Sequence, residues 1–240
     1  MKNIIDIIHS IDTKHPNVNP TEIYNEGWMI RLLVYQSIKS KIRIEEIDFA
    51  NLSNWTSEAL ISSPFVKVLK DKEGYTHADI ALGDFTVDYE DRGEIKVLDN
   101  AKLFGIIEAK MGSTLSKGTT HAKNYDQASR NLACIAHNTF DKKCEIFFAI
   151  VAPSSKLRKH KIEKQIDLDR MIAVIEERFR GYPDPVRDSM NMKLVIAKAQ
   201  SCKTWALSYE DWIDMFLDSA IKDVLSEFYQ KAKKWNRIDN

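Results

Sequence analysis

Two stretches of strand-like sequence carry charged residues of a kind that strands usually lack. Over 103–111, alternation with a period of two puts Phe104, Ile106, Glu108 and Lys110 on one face, which turns from apolar to ionic along its length. Over 76–82, Asp79 shares a face with His77 and Ala81, while Ala78, Ile80 and Leu82 take the other. Paired as neighbours, the two strands bring Asp79 and Glu108 together. Two carboxylates held close in a partly buried site repel, and a cation between them relieves the cost of ionising both. A hard divalent ion with oxygen ligands, Mg²⁺ or alternatively Mn²⁺, suits that role. Such a site polarises a phosphoryl oxygen, acidifies a bound water and steadies a leaving oxyanion. This is equipment for phosphodiester hydrolysis, and Lys110 points at the same place.

The surrounding elements follow from periodicity and breakers. A short amphipathic helix covers the first 16 residues and ends at Pro16. A second helix spans roughly 21–37, with Thr21 as N-cap, Ile23, Gly27, Ile30 and Val34 on one stripe, and Glu22 and Glu26 four apart. A short helix is expected at 57–61, then strands at 65–69 and 76–82 joined by a turn at Gly74, a polar connection over 84–100, and the strand at 103–111. A Gly/Ser/Thr/Lys loop at 112–120 leads into a helix over 121–136, and the apolar run 146–152 reads as a strand buried on both faces. Beyond it come a long helix over 162–180, a strand at 193–199 and a helical segment from Ser208 to about Trp235. The expected class is α/β, or α+β, with a mixed sheet flanked by helices.

An acid-bearing helix, then Asp79, then Glu108-Ala109-Lys110 on successive strands resembles the PD-(D/E)xK nuclease superfamily with its restriction-endonuclease-like fold. The resemblance covers roughly 21–152 and implies a metal-dependent nuclease of restriction or repair type. It makes Asp79 and Glu108 metal ligands, with the Ala109 carbonyl as a third, and has Lys110 orient or activate the attacking water. Glu26 corresponds to the family's frequent extra acid. On the helix after the motif, Lys123, Gln127 and Arg130 form a polar stripe, of which Gln127 is carried over as a catalytic partner and Arg130 as a nucleic-acid contact. His77-Ala78 stand where the family's name has a proline, and a second ExK, Glu94-Ile95-Lys96, follows a turn signal without a preceding apolar strand.

Basic residues bear on the partner. Lys156, Arg158, Lys159 and Lys161, with Lys164 beyond, form one cationic cluster, and Lys231, Lys233, Lys234 and Arg237 another beside Trp235; Lys117 and Lys123 flank the candidate site. Such clusters neutralise phosphates. DNA rather than RNA is the expected partner, with no membrane involved and a homodimer left open. Trp28, Trp55, Trp205 and Trp212 lie at helix or strand spacing and read as core.

The 240 residues are read as one domain, a nuclease-like core over about 21–152 with a β/α elaboration over 153–240. Hydrophobic residues at 44% with only 8 Gly and 6 Pro exclude a disordered or collagenous chain. Lys and Arg total 35, as do Asp and Glu, so no global basicity advertises nucleic-acid or membrane binding and any cationic surface is local. Three cysteines without CxxC spacing, no cleavable leader and no long apolar run read as a soluble cytoplasmic protein. Phosphate-binding glycine loops, GxSxG and HExxH are missing, and the six histidines are scattered. Taken singly, Glu108 and Lys110 also suit a solvated strand end, Asp79 a turn cap or a pair with Arg31, and Glu26 a surface helix. Two further readings stay open: a non-catalytic nucleic-acid-binding or assembly module, and a metal-dependent hydrolase of small phosphate esters.

Overall fold

The structure is a computed structural model that describes residues 10–15, 17–65, 75–90, 92–118 and 122–238. Residues 1–9 and 16 of the expected first helix fall outside them, and 11–15 lie in turn and bend, not helix; positions 66–69 of the strand expected at 65–69 and the Gly74 turn also fall outside, and Phe65 itself lies in a turn.

Helix α1 (Glu26–Ser40) starts later than its stripe suggested, because Asn25, not Thr21, caps it by accepting the Trp28 amide at 3.0 Å; Pro20–Glu22 form a separate 3-10 turn. A two-residue ribbon, β1 (Arg43–Ile44) with β2 (Ile47–Asp48), leads to β3 (Asn54–Ile61), β4 (Thr76–Gly83), β5 (Phe85–Asp88), β6 (Glu94–Val97) and β7 (Leu103–Ala109). The short helix expected at 57–61 is thus part of a strand: β3 pairs with β4 from Asn54↔Gly83 to Ile61↔Thr76, and that ladder outweighs the weak local preference of Ser57-Glu58-Ala59. The polar connection expected over 84–100 contains the antiparallel strand pair β5–β6.

Helix α2 (Gln127–His137) begins at its cap, Asp126, which accepts the Ser129 amide, and the apolar run forms β8 (Glu145–Ala152). Then come α3 (Ser154–His160), α4 (Ile162–Gln165), α5 (Leu168–Arg180), α6 (Asp184–Ser189) and α7 (Met192–Ala199). The single helix expected over 162–180 restarts at Asp167, whose carboxylate accepts the Arg170 amide at 2.9 Å. The strand expected at 193–199 is α7; Val195, Ile196 and Ala199 are one buried helix face, a pattern that a short apolar run does not separate from a strand. The strand that does pair with β8 is β9 (Lys203–Ser208), followed by α8 (Tyr209–Asp214), capped by Ser208, and α9 (Ser219–Trp235).

The protein is a mixed α/β structure whose main sheet runs β5-β6-β3-β4-β7-β8-β9. Strands β3, β4 and β7 form an antiparallel meander, while β7, β8 and β9 are parallel. One apolar layer joins the sheet to α2, α5 and α7; the other joins it to α1, α8 and α9. No helix among the described residues is long and apolar enough to cross a membrane.

Candidate active site

The register of β7 against its neighbours creates the site. Its ladder to β4 runs from Phe104↔Gly83 only as far as Ile107↔Ile80, whereas its pairing with β8 continues to Ala109↔Val151. The parting coincides with a kink in β3, where Glu58, opposite Asp79 in the β3–β4 register, adopts a left-handed φ of 52° inside a strand. Across that kink the face pattern of β4 slips: Thr76 and Ala78 look toward α2, Ile80 and Leu82 toward α1. The expectation that Ala78 shares a face with Ile80 is therefore corrected, and Asp79 stands at the slip.

Beyond Ile107, the amides of β7 that would bond a continued β4 have lost it, and carboxylates take its place. The Ala109 amide donates to Asp79 Oδ2 at 2.7 Å, and the Met111 amide donates to Glu26 Oε2 at 2.6 Å. The intervening Lys110 amide points the other way and donates to the Val151 carbonyl at 2.8 Å. Glu108 turns toward α2: its Oε1 accepts from Lys110 Nζ at 2.7 Å and from Gln127 Nε2, and its Oε2 accepts from Asn131 Nδ2 at 3.0 Å. Three acids from α1, β4 and β7 thus wrap the last residues of one strand. They lie at the carboxyl ends of parallel strands, where open α/β sheets place their ligands.

Burial and the neighbouring Asp79 raise Glu108 to about 7, against the pull of Lys110. Glu26 is raised as well, first by burial, with the Met111 amide and Lys110 opposing. Burial works to lower Lys110, but Glu108, Asp79 and Glu26 together hold it above the ordinary lysine value. Three carboxyl groups and one ammonium share a low-dielectric place, where ionising Glu108 and Glu26 is costly.

No family model, curated protein or solved structure matches the chain. Its chemistry is read from its own residues. Of the expected site residues, Glu26, Asp79, Glu108, Ala109, Lys110 and Gln127 come together. The rival Glu94-Ile95-Lys96 lies on β6, separated from β7 by β3 and β4, with Lys96 paired to Asp88 at 2.6 Å. Arg31 pairs with Glu58 at 3.3 Å and not with Asp79. Among the basic residues, Lys156 reaches the site's rim, donating to the Gly112 carbonyl at 3.3 Å. Lys117 and Lys123 are exposed on the connection between β7 and α2, Arg130 is half-buried on α2, and Arg158, Lys159 and Lys161 are exposed on α3 and its end.

Five further residues belong to the site, Asn131, Tyr209, Trp28, Arg31 and Glu58. Asn131 is fully buried against Glu108; its position four residues after Gln127 on one helix face was a signal in the sequence. Tyr209, fully buried at the end of β9, has a hydroxyl with no partner among the described residues. Burial, reinforced by Glu26, Asp79 and Glu108, holds its phenol well above the ordinary range. Trp28, expected in the core, is 43% exposed, and it lines with Arg31, Glu58, Glu26 and Asp79 a cleft of about 590 Å³.

Among the described residues, no three His, Cys, Asp or Glu side chains converge closely enough to hold a metal ion, since Glu108 gives both oxygens to Lys110, Gln127 and Asn131. The donor set nonetheless suits a hard cation. Asp79 Oδ1 and Glu26 Oε1 accept no hydrogen bond from the described residues, and both acids line the open cleft.

Proposed function

We propose that the protein is a metal-dependent nuclease acting on DNA, built on a restriction-endonuclease-like core. The observation that carries this reading is the gathering of Glu26, Asp79 and Glu108 around Ala109, Lys110 and Met111, with Gln127 bound to the same Glu108 oxygen as Lys110. The acid-bearing helix α1, the Asp79 strand β4, the Glu108–Lys110 strand β7 and the polar-faced helix α2 also come in the order the resemblance requires.

Asp79 and Glu26, through the oxygens that accept no hydrogen bond from the described residues, would hold the cation, and Glu108 and the Ala109 carbonyl would join them only where Glu108 gives up one of its three donors. When bound, Mg²⁺ or Mn²⁺ supplies Lewis acidity toward a phosphoryl oxygen and makes a water more acidic. The chain's own groups do the rest. Lys110, held above the ordinary lysine value, keeps its proton, so Nζ acts as a hydrogen-bond donor that orients the attacking water and meets developing phosphate charge. Gln127 and Asn131 fix the Glu108 carboxylate on the α2 side. Lys156, at the rim beside Gly112, offers a cation to the DNA backbone.

The saturation of Glu108 by three donors favours a second reading, in which Lys110, Gln127 and Asn131 form a structural polar network inside a nucleic-acid-binding module. One assay separates the two: cleavage of plasmid, linear and single-stranded DNA in Mg²⁺, Mn²⁺ or EDTA, run beside Asp79→Asn and Glu108→Gln. The nuclease reading expects cutting that requires the metal and disappears in both variants while circular dichroism is unchanged. Equal cutting by the variants, or DNA binding without cutting in any metal, overturns it.

A further inference from the structure

Trp28 stands on the first turn of α1, two residues beyond Glu26, and its ring opens into the acid-lined cleft. The side chain is 43% exposed and, unlike the buried Trp212, borders acidic and polar groups of the cleft. The Arg31 guanidinium lies on the ring, 5.4 Å from its centroid, and reaches on to Glu58 Oε1 at 3.3 Å. Gly27 makes room for this: a Cβ there would come within 3.0 Å of Arg31 Nη1. Glu58 is the residue with left-handed backbone, and it stands in the cleft wall with Asp79.

We propose that Trp28 is a stacking platform for one unpaired base of a nucleic acid, and that the phosphate next to that base displaces Glu58 from Arg31. The inference rests on the nucleic-acid reading above and names the strand state that the cleft accepts. Four acids line the cleft, Glu22, Glu26, Glu58 and Asp79, and Arg31 is the cation among the lining residues, so phosphate contacts inside it supply little affinity. The ring supplies it instead. A base inside a duplex has both faces covered by its neighbours, whereas a single-stranded, frayed or flipped base offers one face to an aromatic platform. Arg31 combines a planar face for the ring with a fork of donors for phosphate, which lysine does not.

The test is fluorescence anisotropy with a labelled single-stranded oligonucleotide and the matching duplex, in EDTA, over a salt series, on the full chain. Wild type binds the single strand more tightly. Trp28→Ala loses about tenfold in single-strand affinity, within the range expected of one stacked base, while duplex binding changes by less than about twofold. Trp28→Phe recovers most of the loss, which a merely structural defect would not allow. Arg31→Gln lowers the single-strand salt slope by about 0.7, the share of one phosphate. Equal losses for both strand forms in Trp28→Ala, or a wild type that prefers duplex, overturn the platform. Metal-dependent cleavage measured on the same preparations separates the two readings. Cleavage with an indifferent Trp28→Ala removes the platform and leaves the nuclease; a Trp28-dependent single-strand preference without cleavage leaves the platform and removes the nuclease. A wild type that binds neither form removes both.

Discussion

The fold makes ionising Glu108 costly. Its carboxyl sits at about 7 in the folded chain against an ordinary glutamate value of 4.5. The folded state therefore keeps the proton over a range of pH in which the unfolded chain has released it, and stability falls as pH rises from about 4.5 through about 7. In EDTA, Glu108→Gln removes the titrating group, so the variant should gain melting temperature over wild type at pH 8 and little at pH 5. A gain of equal size at both values would show that burial of the charge is not the cause. Asn131 is the next donor to examine, because its amide is the bond that Glu108 Oε2 receives from α2. Asn131→Asp sets a fourth carboxylate against three and should lower the melting temperature above pH 7, with part of the loss returned by millimolar Mg²⁺. A deficit that Mg²⁺ leaves unchanged would argue that the cluster takes no cation.

At the scale of elements, the site depends on where two strands part. β4 ends at Gly83, whose φ of 127° and approach to the Leu103 carbonyl leave no room for a side chain: an added Cβ would lie 2.1 Å from that oxygen. Gly83→Ala must either strain this turn or push β7 out of register with β4, at about 2 kcal/mol or more, and urea unfolding should record it as a lowered midpoint. An unchanged midpoint would mean that the turn relaxes and does not fix the register. The same elements show how far sequence alone reaches. β7 and β8 were legible because one alternates into Glu108 and Lys110 and the other is apolar throughout, and the pairing of β4 with β7 put Asp79 beside the strand that bears Glu108. The parting of β4 from β7 was not legible, since it coincides with a left-handed backbone at Glu58, a residue with no intrinsic claim to that conformation. The 57–61 and 193–199 segments exchanged helix and strand for a related reason: short stretches take the state that their neighbours complete, and the edge beside β8 was filled by Lys203–Ser208. Trp28 was misread because helical spacing reports a face without saying whether a neighbouring element covers it.

Among the described residues the main sheet is drawn from both halves of the chain, and the part after residue 153 does more than decorate it. β9 completes the parallel end of the sheet, and α9 packs on α1, the helix that carries Glu26 and Trp28. Asn236, just past α9, donates to the Tyr24 carbonyl at 2.8 Å, beside the cleft that it helps to line. Glu210 is the tie among these parts. Its Oε1 accepts from the Tyr229 hydroxyl of α9 at 2.8 Å and from the Ser154 hydroxyl at 3.3 Å, and its Oε2 accepts from the Ser154 amide at 3.1 Å, just past the end of β8. One half-buried carboxylate thus joins the exit of a central strand to the helix that backs α1. Glu210→Ala leaves the Tyr229 hydroxyl and the Ser154 amide without their acceptor, and bonds to a charged group of this kind contribute about 1.5–3 kcal/mol each. Urea unfolding should place the variant at least about 2 kcal/mol below wild type, and hydrogen exchange should show α9 losing protection before β7 and β8 do. If the tie matters as argued, single-strand binding at Trp28 should weaken along with α9, although Glu210 is not among the residues that line the cleft; loss of stability with wild-type binding would confine Glu210 to the scaffold and release α1 from dependence on the C-terminal helix.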